Sequence, residues 1–285
     1  MGYKHIDNLY KNQAILLFKE CYALEKIHGT SAHITWDNGA ITYFPGGEKL
    51  ELFVTLFDEA KLREAFTALG HAQVTVFGEA YGGKTQGQSW RYGRIFRFVA
   101  FEVAVGEAWL SVPDAAEVVA KLGLEFVYYK RIPAELSAID AERDAPSEQA
   151  KRNGIEGDQP REGVVLRPLE EMVRCNCERV VAKHKRDEER ETRTPRQVNT
   201  EKAAILREAQ AIADEWVTPT RLAHVLDKLG PVGLENMPEV IRAMIEDVTR
   251  EAKGEIVDSK EARKAISSAT VKLFKAQVQA ELYEK

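Results

Sequence analysis

The sequence predicts an α+β fold followed by a small all-α region. Three observations carry this. Short apolar runs separated by Gly, Pro and Asp-Asn signals fill the chain up to Pro195. The turn Asp37-Asn38-Gly39 lies between two extended runs, and Asn-Gly suits the positive φ of a tight hairpin. Beyond Pro195 glycine thins out and apolar residues recur at three- and four-residue spacing, the helical period.

Residues 14–22 predict a first strand, and residues 31–36 and 40–44 the arms of the hairpin. Residues 56–69 and 115–122 predict helices, each ending near a glycine. Residues 73–77, 95–105, 163–167 and 179–185 predict further extended segments. Residues 138–159 are polar and read as a solvated excursion with at most a short helix. Four helices are expected at 200–216, 220–229, 238–252 and 259–282, with Gly230-Pro231 as a clear stop. The expected domains are therefore 1–196 and 197–285, with no internal repeat.

Composition narrows the class. Hydrophobic residues at 44% and charged residues at 30% are those of a soluble globular protein. No segment reaches the ~18 apolar residues of a membrane span, and the N-terminal residues lack an apolar signal core. No membrane partner is expected. A net charge of -5 argues against a general polyelectrolyte binder, so any nucleic-acid contact needs a local basic groove. Cys21, Cys175 and Cys177 are too few for a disulfide framework, which suits a reducing compartment. The expected location is cytoplasmic, or the host cytoplasm if the chain is phage-encoded. Cys175-Asn176-Cys177 lacks the second pair that structural zinc needs.

The chemistry-bearing residues come in a fixed order. Glu25-Lys26-Ile27-His28-Gly29-Thr30 has KxxG spacing, which alone means little, since Lys84-Thr85-Gln86-Gly87 and Lys151-Arg152-Asn153-Gly154 share it. Lys26 differs in lying between two apolar strands. Glu79 follows in Val76-Phe77-Gly78-Glu79-Ala80-Tyr81-Gly82, at a strand end. Phe101-Glu102 places an aromatic before an acid on a buried strand. Glu162 immediately precedes Gly163-Val164-Val165-Leu166, and Lys183-His184-Lys185 puts two cations on one strand face.

This ordered set resembles the collinear motifs of the covalent nucleotidyltransferases. The wording around Lys26 and Glu79 resembles the RNA ligase 2 family: bacteriophage RNA ligase 2, the kinetoplastid RNA-editing ligases and bacterial relatives. The resemblance covers residues 11–196. It implies an ATP-grasp-like nucleotidyltransferase domain of antiparallel sheets with flanking helices. It also implies an ATP-dependent RNA ligase that joins RNA 3′-OH and 5′-phosphate ends, expected at nicks in duplex RNA or RNA-containing duplex. The helical tail resembles the family only in general character, and no obligate protein partner is implied.

The resemblance assigns roles by position. Lys26 would attack the α-phosphate of ATP and carry AMP. A free lysine titrates near ~10.4, so neighbouring cations that favour the neutral amine matter. Lys183 and Lys185 would supply them and hold the α-phosphate. Glu79 would bond the ribose, and Phe101 would stack on adenine. Glu162, with Glu79 through water, would hold Mg²⁺ or Mn²⁺. Glu25, Gly29 and Ser31 would line the nucleotide site, with Ser31 standing where the family usually has Asn. His28 stands where many relatives have Asp and would act after lysine adenylylation. In place of an arginine found in phage members this chain has the turn Phe44-Pro45-Gly46-Gly47. The alternatives are a DNA ligase, a capping-type nucleotidyltransferase, or a non-catalytic nucleotide- or RNA-binding relative.

Overall fold

The computed structural model describes residues 3–87, 89–173, 178–189 and 200–283. The chain forms two compact units, residues 1–198 and 199–285. The Cys175-Cys177 pair lies outside the described residues.

The first unit is built from β1 (Glu20–Lys26), β2 (Thr30–Asp37), β3 (Ala40–Phe44), α1 (Leu50–Val54), α2 (Glu59–Leu69), β4 (Gln73–Tyr81), β5 (Arg97–Val105) and β6 (Ala108–Trp109). It continues with α3 (Val112–Lys121), β7 (Tyr129–Pro133), α4 (Leu136–Asp144), α5 (Glu148–Arg152), β8 (Gly163–Arg167) and β9 (Ala182–Lys185). Two antiparallel sheets result. One has the order β7-β1-β8-β9, the other β3-β2-β4-β5-β6. The hairpin turn adopts the positive φ expected at Asn38 and Gly39.

Each sheet has two working faces because strand side chains alternate. Ala32, Ile34 and Trp36 of β2 and Val74 and Val76 of β4 enter one core, which α2 and α3 cover with Phe66, Ala115 and Val119. A second core holds Leu24, Ile27, Tyr81, Tyr92, Val99 and Val127, with Phe101 and Val165 packed against it. Leu24 and Ile27 bring the segment that carries Lys26 to this second core.

Several expected elements need correction. Residues 14–22 are not one strand: Ala14–Leu17 is a 3-10 turn, and β1 begins at Glu20. Ile15 and Leu16 are both buried, which consecutive strand positions facing opposite sides of an exposed edge do not favour. The helix expected at 56–69 begins at Glu59, because the Asp58 side chain accepts from the Lys61 N–H, and Gly70 in the left-handed region ends it. Ser111 caps α3 earlier than expected, with proline in the first turn. Strand β9 starts at Ala182 rather than residue 179, where Arg179 makes an isolated bridge to Val173. The stretch 138–159 is no solvated excursion: it carries α4 and α5, and Glu142, Ser147 and Gln149 are buried.

The second unit comprises α6 (Thr200–Trp216), α7 (Pro219–Leu229), α8 (Met237–Glu251) and α9 (Lys260–Tyr283). Thr218 caps α7 and Pro219 sits in its first turn. Ile212, Leu222, Val225, Met244, Val248 and Phe274 form its core. On its flank the buried carboxylate of Asp247 bonds Arg221 at 2.7 Å and Lys228 at 3.1 Å. No helix among the described residues is long and apolar enough to cross a membrane.

Candidate active site

Strand register builds the site. Lys26, the last residue of β1, pairs with Gly163, the first of β8. Gly163 pairs in turn with Lys185, the last of β9. Glu162 therefore leaves the sheet between the ends of two lysine-bearing strands. Its Oε2 lies 2.9 Å from Lys26 Nζ and its Oε1 2.8 Å from Lys185 Nζ. His28 Nδ1 lies 3.8 Å from Oε2. Lys183, two residues before Lys185, shares the face that lines the adjoining cavity. Gly163 admits this approach, since an added Cβ would meet the His184 carbonyl oxygen at 2.3 Å.

The second sheet supplies the opposite wall. Glu79 of β4 pairs with Ser31 of β2 and Val99 of β5. The register of β4 and β5 shifts after Phe77, so that Phe77 faces Glu102 and Gly78 faces Ala100. Phe101 is the extra residue of this bulge. A bulge re-aims side chains, and here both Phe101 and its neighbour Glu102 reach the cavity. The bulge needs Gly78, where a Cβ would meet the Val99 carbonyl and the Phe98 ring at 2.4 Å.

The cavity between the sheets has a volume of about 250 Å³. Leu24, Val99, Val127 and Val165 give it apolar walls, and Lys26, Glu79 and Lys183 also line it. Another part of its wall is a buried ionic network. Arg167 reaches Glu102 at 3.1 Å, and Arg179 pairs with both Glu102 and Glu171. Arg179 also stacks 4.2 Å above Trp109. Tyr3 donates its hydroxyl to Glu102 and sets its ring edge-on to Phe101, with centroids 5.1 Å apart.

Charge placement separates the two central acids. Burial works against ionisation of Glu162, but the nearby His28 and the charges of Lys26 and Lys185 overcome it and hold the carboxyl well below the usual range. Burial pushes Glu79 up to about 7; Lys26 opposes the rise and the Glu162 charge reinforces it. One acid is a fixed anion and the other is near half-protonation at neutral pH.

The remaining expected residues fall into place unequally. Gly29 lies against β4, where a Cβ would meet the Ala80 carbonyl oxygen at 2.4 Å. Ser31 lines the cavity, and its buried Oγ has no hydrogen-bond partner among the described residues. Glu25 borders the cavity, but its carboxylate is spent elsewhere: it accepts from the Ser147 hydroxyl, the Glu148 N–H at 2.9 Å and the Gln149 N–H at 3.2 Å. In the Phe44-Pro45-Gly46-Gly47 turn, the Gly47 N–H donates to Thr30 Oγ1 at 2.9 Å. That donor is therefore spent on the first residue of β2. The other two KxxG lysines, Lys84 and Lys151, do not line this cavity.

Sequence reasoning passed over Tyr3, Arg167 and Arg179. Arg167 was detectable in principle, as a cation ending the apolar run Val164-Val165-Leu166. Nothing local pointed to Tyr3, whose partners are about a hundred residues away.

The profile of the RNA ligase family matches residues 19–185, more than half of the 285-residue chain. No curated protein sequence matches the chain. Among solved structures, a Naegleria gruberi RNA ligase with pyrophosphate superposes with a TM-score of 0.52 at 14% identity, covering 66% of this chain and 56% of that one. A lysine mutant of the same ligase with ATP and Mn gives a TM-score of 0.51 at 14% identity, covering 66% and 57%. Another with AMP and Mn gives 0.52 at 14%, covering 67% and 59%. The chain thus matches less than two thirds of the length of those structures, which share its fold. With the family profile spanning every strand from β1 to β9, the chain belongs to the RNA ligase family.

Proposed function

We propose that this chain is an ATP-dependent RNA ligase that forms a Lys26-AMP intermediate and seals a 3′-OH to a 5′-phosphate at nicks in duplex RNA or RNA-containing duplex. The observation that carries the reading is the Lys26–Glu162–Lys185 array, whose Lys26 lines a cavity together with Glu79 and Phe101. The Naegleria ligase structures contain ATP or AMP with Mn, which supports the same nucleotide and a divalent ion here.

Adenine fits between the apolar wall and Phe101, whose re-aimed ring offers a stacking face. Glu79, near half-protonation, is suited to exchanging hydrogen bonds with ribose hydroxyls. The unpartnered Ser31 Oγ belongs to a residue that lines this space. Lys26 loses a proton and its nitrogen attacks the α-phosphorus. A P–N bond forms as the P–O bond to pyrophosphate breaks. Lys183 and Lys185 balance the charge that builds on the phosphoryl oxygens. AMP next passes to an RNA 5′-phosphate, and an RNA 3′-OH displaces it. His28, beside Glu162, belongs to those later steps.

Among the described residues no cluster of three or more ligand-type side chains forms. Glu162 would hold Mg²⁺ or Mn²⁺ together with waters and substrate oxygens, with Glu79 contributing through water. Such an ion supplies Lewis-acid polarisation of the phosphoryl group.

The decisive experiment supplies α-labelled ATP and Mg²⁺ without RNA. Label becomes covalently attached to the protein and is absent in Lys26→Ala; labelling that survives the substitution refutes the assignment. Comparing nicked RNA duplex, nicked DNA duplex and free single strands then defines the substrate. A DNA ligase or capping enzyme of this superfamily carries a β-barrel after the last lysine motif. Here the described residues beyond Lys185 contain no strand. A non-catalytic binding relative predicts no label on the wild-type chain.

A further inference from the structure

The loop that carries Lys26 is anchored on both sides to one short helix. Before Lys26, the Glu25 carboxylate accepts from the Ser147 hydroxyl and from the first two N–H groups of α5. After Lys26, the backbone N–H of His28 donates to the hydroxyl of Tyr92 at 3.3 Å. Tyr92 is 1% exposed and belongs to the second core. It is held in turn from the far end of the same helix: the Asn153 side-chain amide donates to the Tyr92 carbonyl at 2.8 Å.

Asn153 and Gln149 also fix the neighbouring strand. Gln149 Nε2 donates to Tyr81 Oη at 3.0 Å, and Asn153 lies within 3.3 Å of the same hydroxyl. The rings of Tyr81 and Tyr92 meet edge to face at 5.4 Å. Every member of this chain of bonds is buried or half-buried, so each bond is exchanged with little competition from water. Asn153 is the third residue of the KxxG-spaced stretch Lys151–Gly154, which has no part in the cavity.

We propose that Tyr92, secured by Asn153, is a positioning residue for Lys26: it pins the His28 peptide and so sets the register of Lys26 against Glu162. This rests on Lys26 being the adenylylated residue. The arrangement uses the hydroxyl for contact and the ring for packing, so the two are separable. Tyr92→Phe keeps the ring in the core and deletes only the acceptor, leaving the His28 N–H without its partner. Lys26 itself, its ion pair and the cavity walls are untouched.

Two measurements test the proposal. The first follows hydrogen exchange of the His28 amide by NMR in the chain without nucleotide. Tyr92→Phe accelerates exchange at His28 about tenfold, while amides of β4 and β5 keep their wild-type rates. Unchanged exchange at His28 overturns the proposal, and so does acceleration spread over those strands, which marks general loosening. The second follows labelling by α-labelled ATP in single turnovers. In Tyr92→Phe the rate at saturating ATP falls about five- to tenfold, while the ATP concentration for half-maximal rate moves less than twofold. Asn153→Ala produces the same split to a smaller degree. A wild-type rate in Tyr92→Phe, or a loss confined to ATP affinity, overturns the positioning role. If the wild-type chain takes no label, the catalytic reading fails by itself, and the exchange measurement still decides whether Tyr92 holds the loop.

Discussion

Glu162 holds Lys26 at 2.9 Å with one carboxylate oxygen and turns its other oxygen to Lys185 at 2.8 Å. The carboxylate is almost fully buried, with its side chain 4% exposed. A buried anion between two cations is poised rather than inert. It compensates both ammonium charges at once, so the two lysines share one buried anion.

Glu162→Gln should therefore abolish adenylylation without abolishing the fold. The amide keeps the volume and some hydrogen bonding but removes the negative charge that faces Lys26, His28 and Lys185. The expected loss is about 100-fold or more in the rate of label transfer, the scale of removing one electrostatic stabiliser. Label incorporation checks this, with circular dichroism confirming a folded chain.

Glu79 predicts the pH dependence of stability in the metal-free chain. Its folded value, about 7, is above the ordinary carboxylate value of 4.5. The folded state thus binds this proton more tightly than the unfolded state. The stability contributed by that proton is complete below pH ~4.5 and is lost as pH rises through about 7. Thermal melts from pH 5 to 8 in chelator should show this decline, and Glu79→Gln should flatten it.

Phe101→Leu should weaken nucleotide binding with a small effect on the chemical step. Stacking of a base on an aromatic ring is worth ~1–3 kcal/mol, so the ATP concentration for half-maximal labelling should rise about tenfold. Phe101→Trp should retain most of the affinity. Equal affinity in the leucine variant would remove Phe101 from the adenine site.

Gly29→Ala should be costly for steric reasons alone. The new methyl would lie 2.4 Å from the Ala80 carbonyl oxygen and 2.9 Å from Glu79 Cγ. Strand β4 or the Lys26 loop must move, at a cost of ~1–3 kcal/mol. A lowered melting temperature together with loss of labelling is expected. Gly70→Ala is not its equivalent, for Gly70 has open space and is strained only by its φ of 73°.

The helical unit was the most legible part of the sequence, because a 3.6-residue apolar period over ten or more residues has few other readings. The hairpin at Asn38-Gly39 was equally plain, since its signal is local. The region 138–159 was misread for the opposite reason. Its polar residues looked solvated, but Ser147, Gln149 and Glu142 are buried because distant partners satisfy them: Glu25, Tyr81 and Arg161.

The sequence by itself marked Lys26, Glu79, Glu162, Lys183 and Lys185 as residues in or beside readable apolar runs. Only the tertiary structure decided how they meet. The pairing of Lys26 with Gly163 and of Gly163 with Lys185 sets Glu162 between two lysines. The bulge opposite Gly78 aims both Phe101 and Glu102 into one cavity, which alternation along an unbroken strand forbids. The same folding directed the Glu25 carboxylate to α5 and brought Tyr92 under the Lys26 loop. Register and bulges arise from contacts between separate segments, as of Lys26 with Gly163 or of Gly78 with Ala100, and no local pattern encodes them.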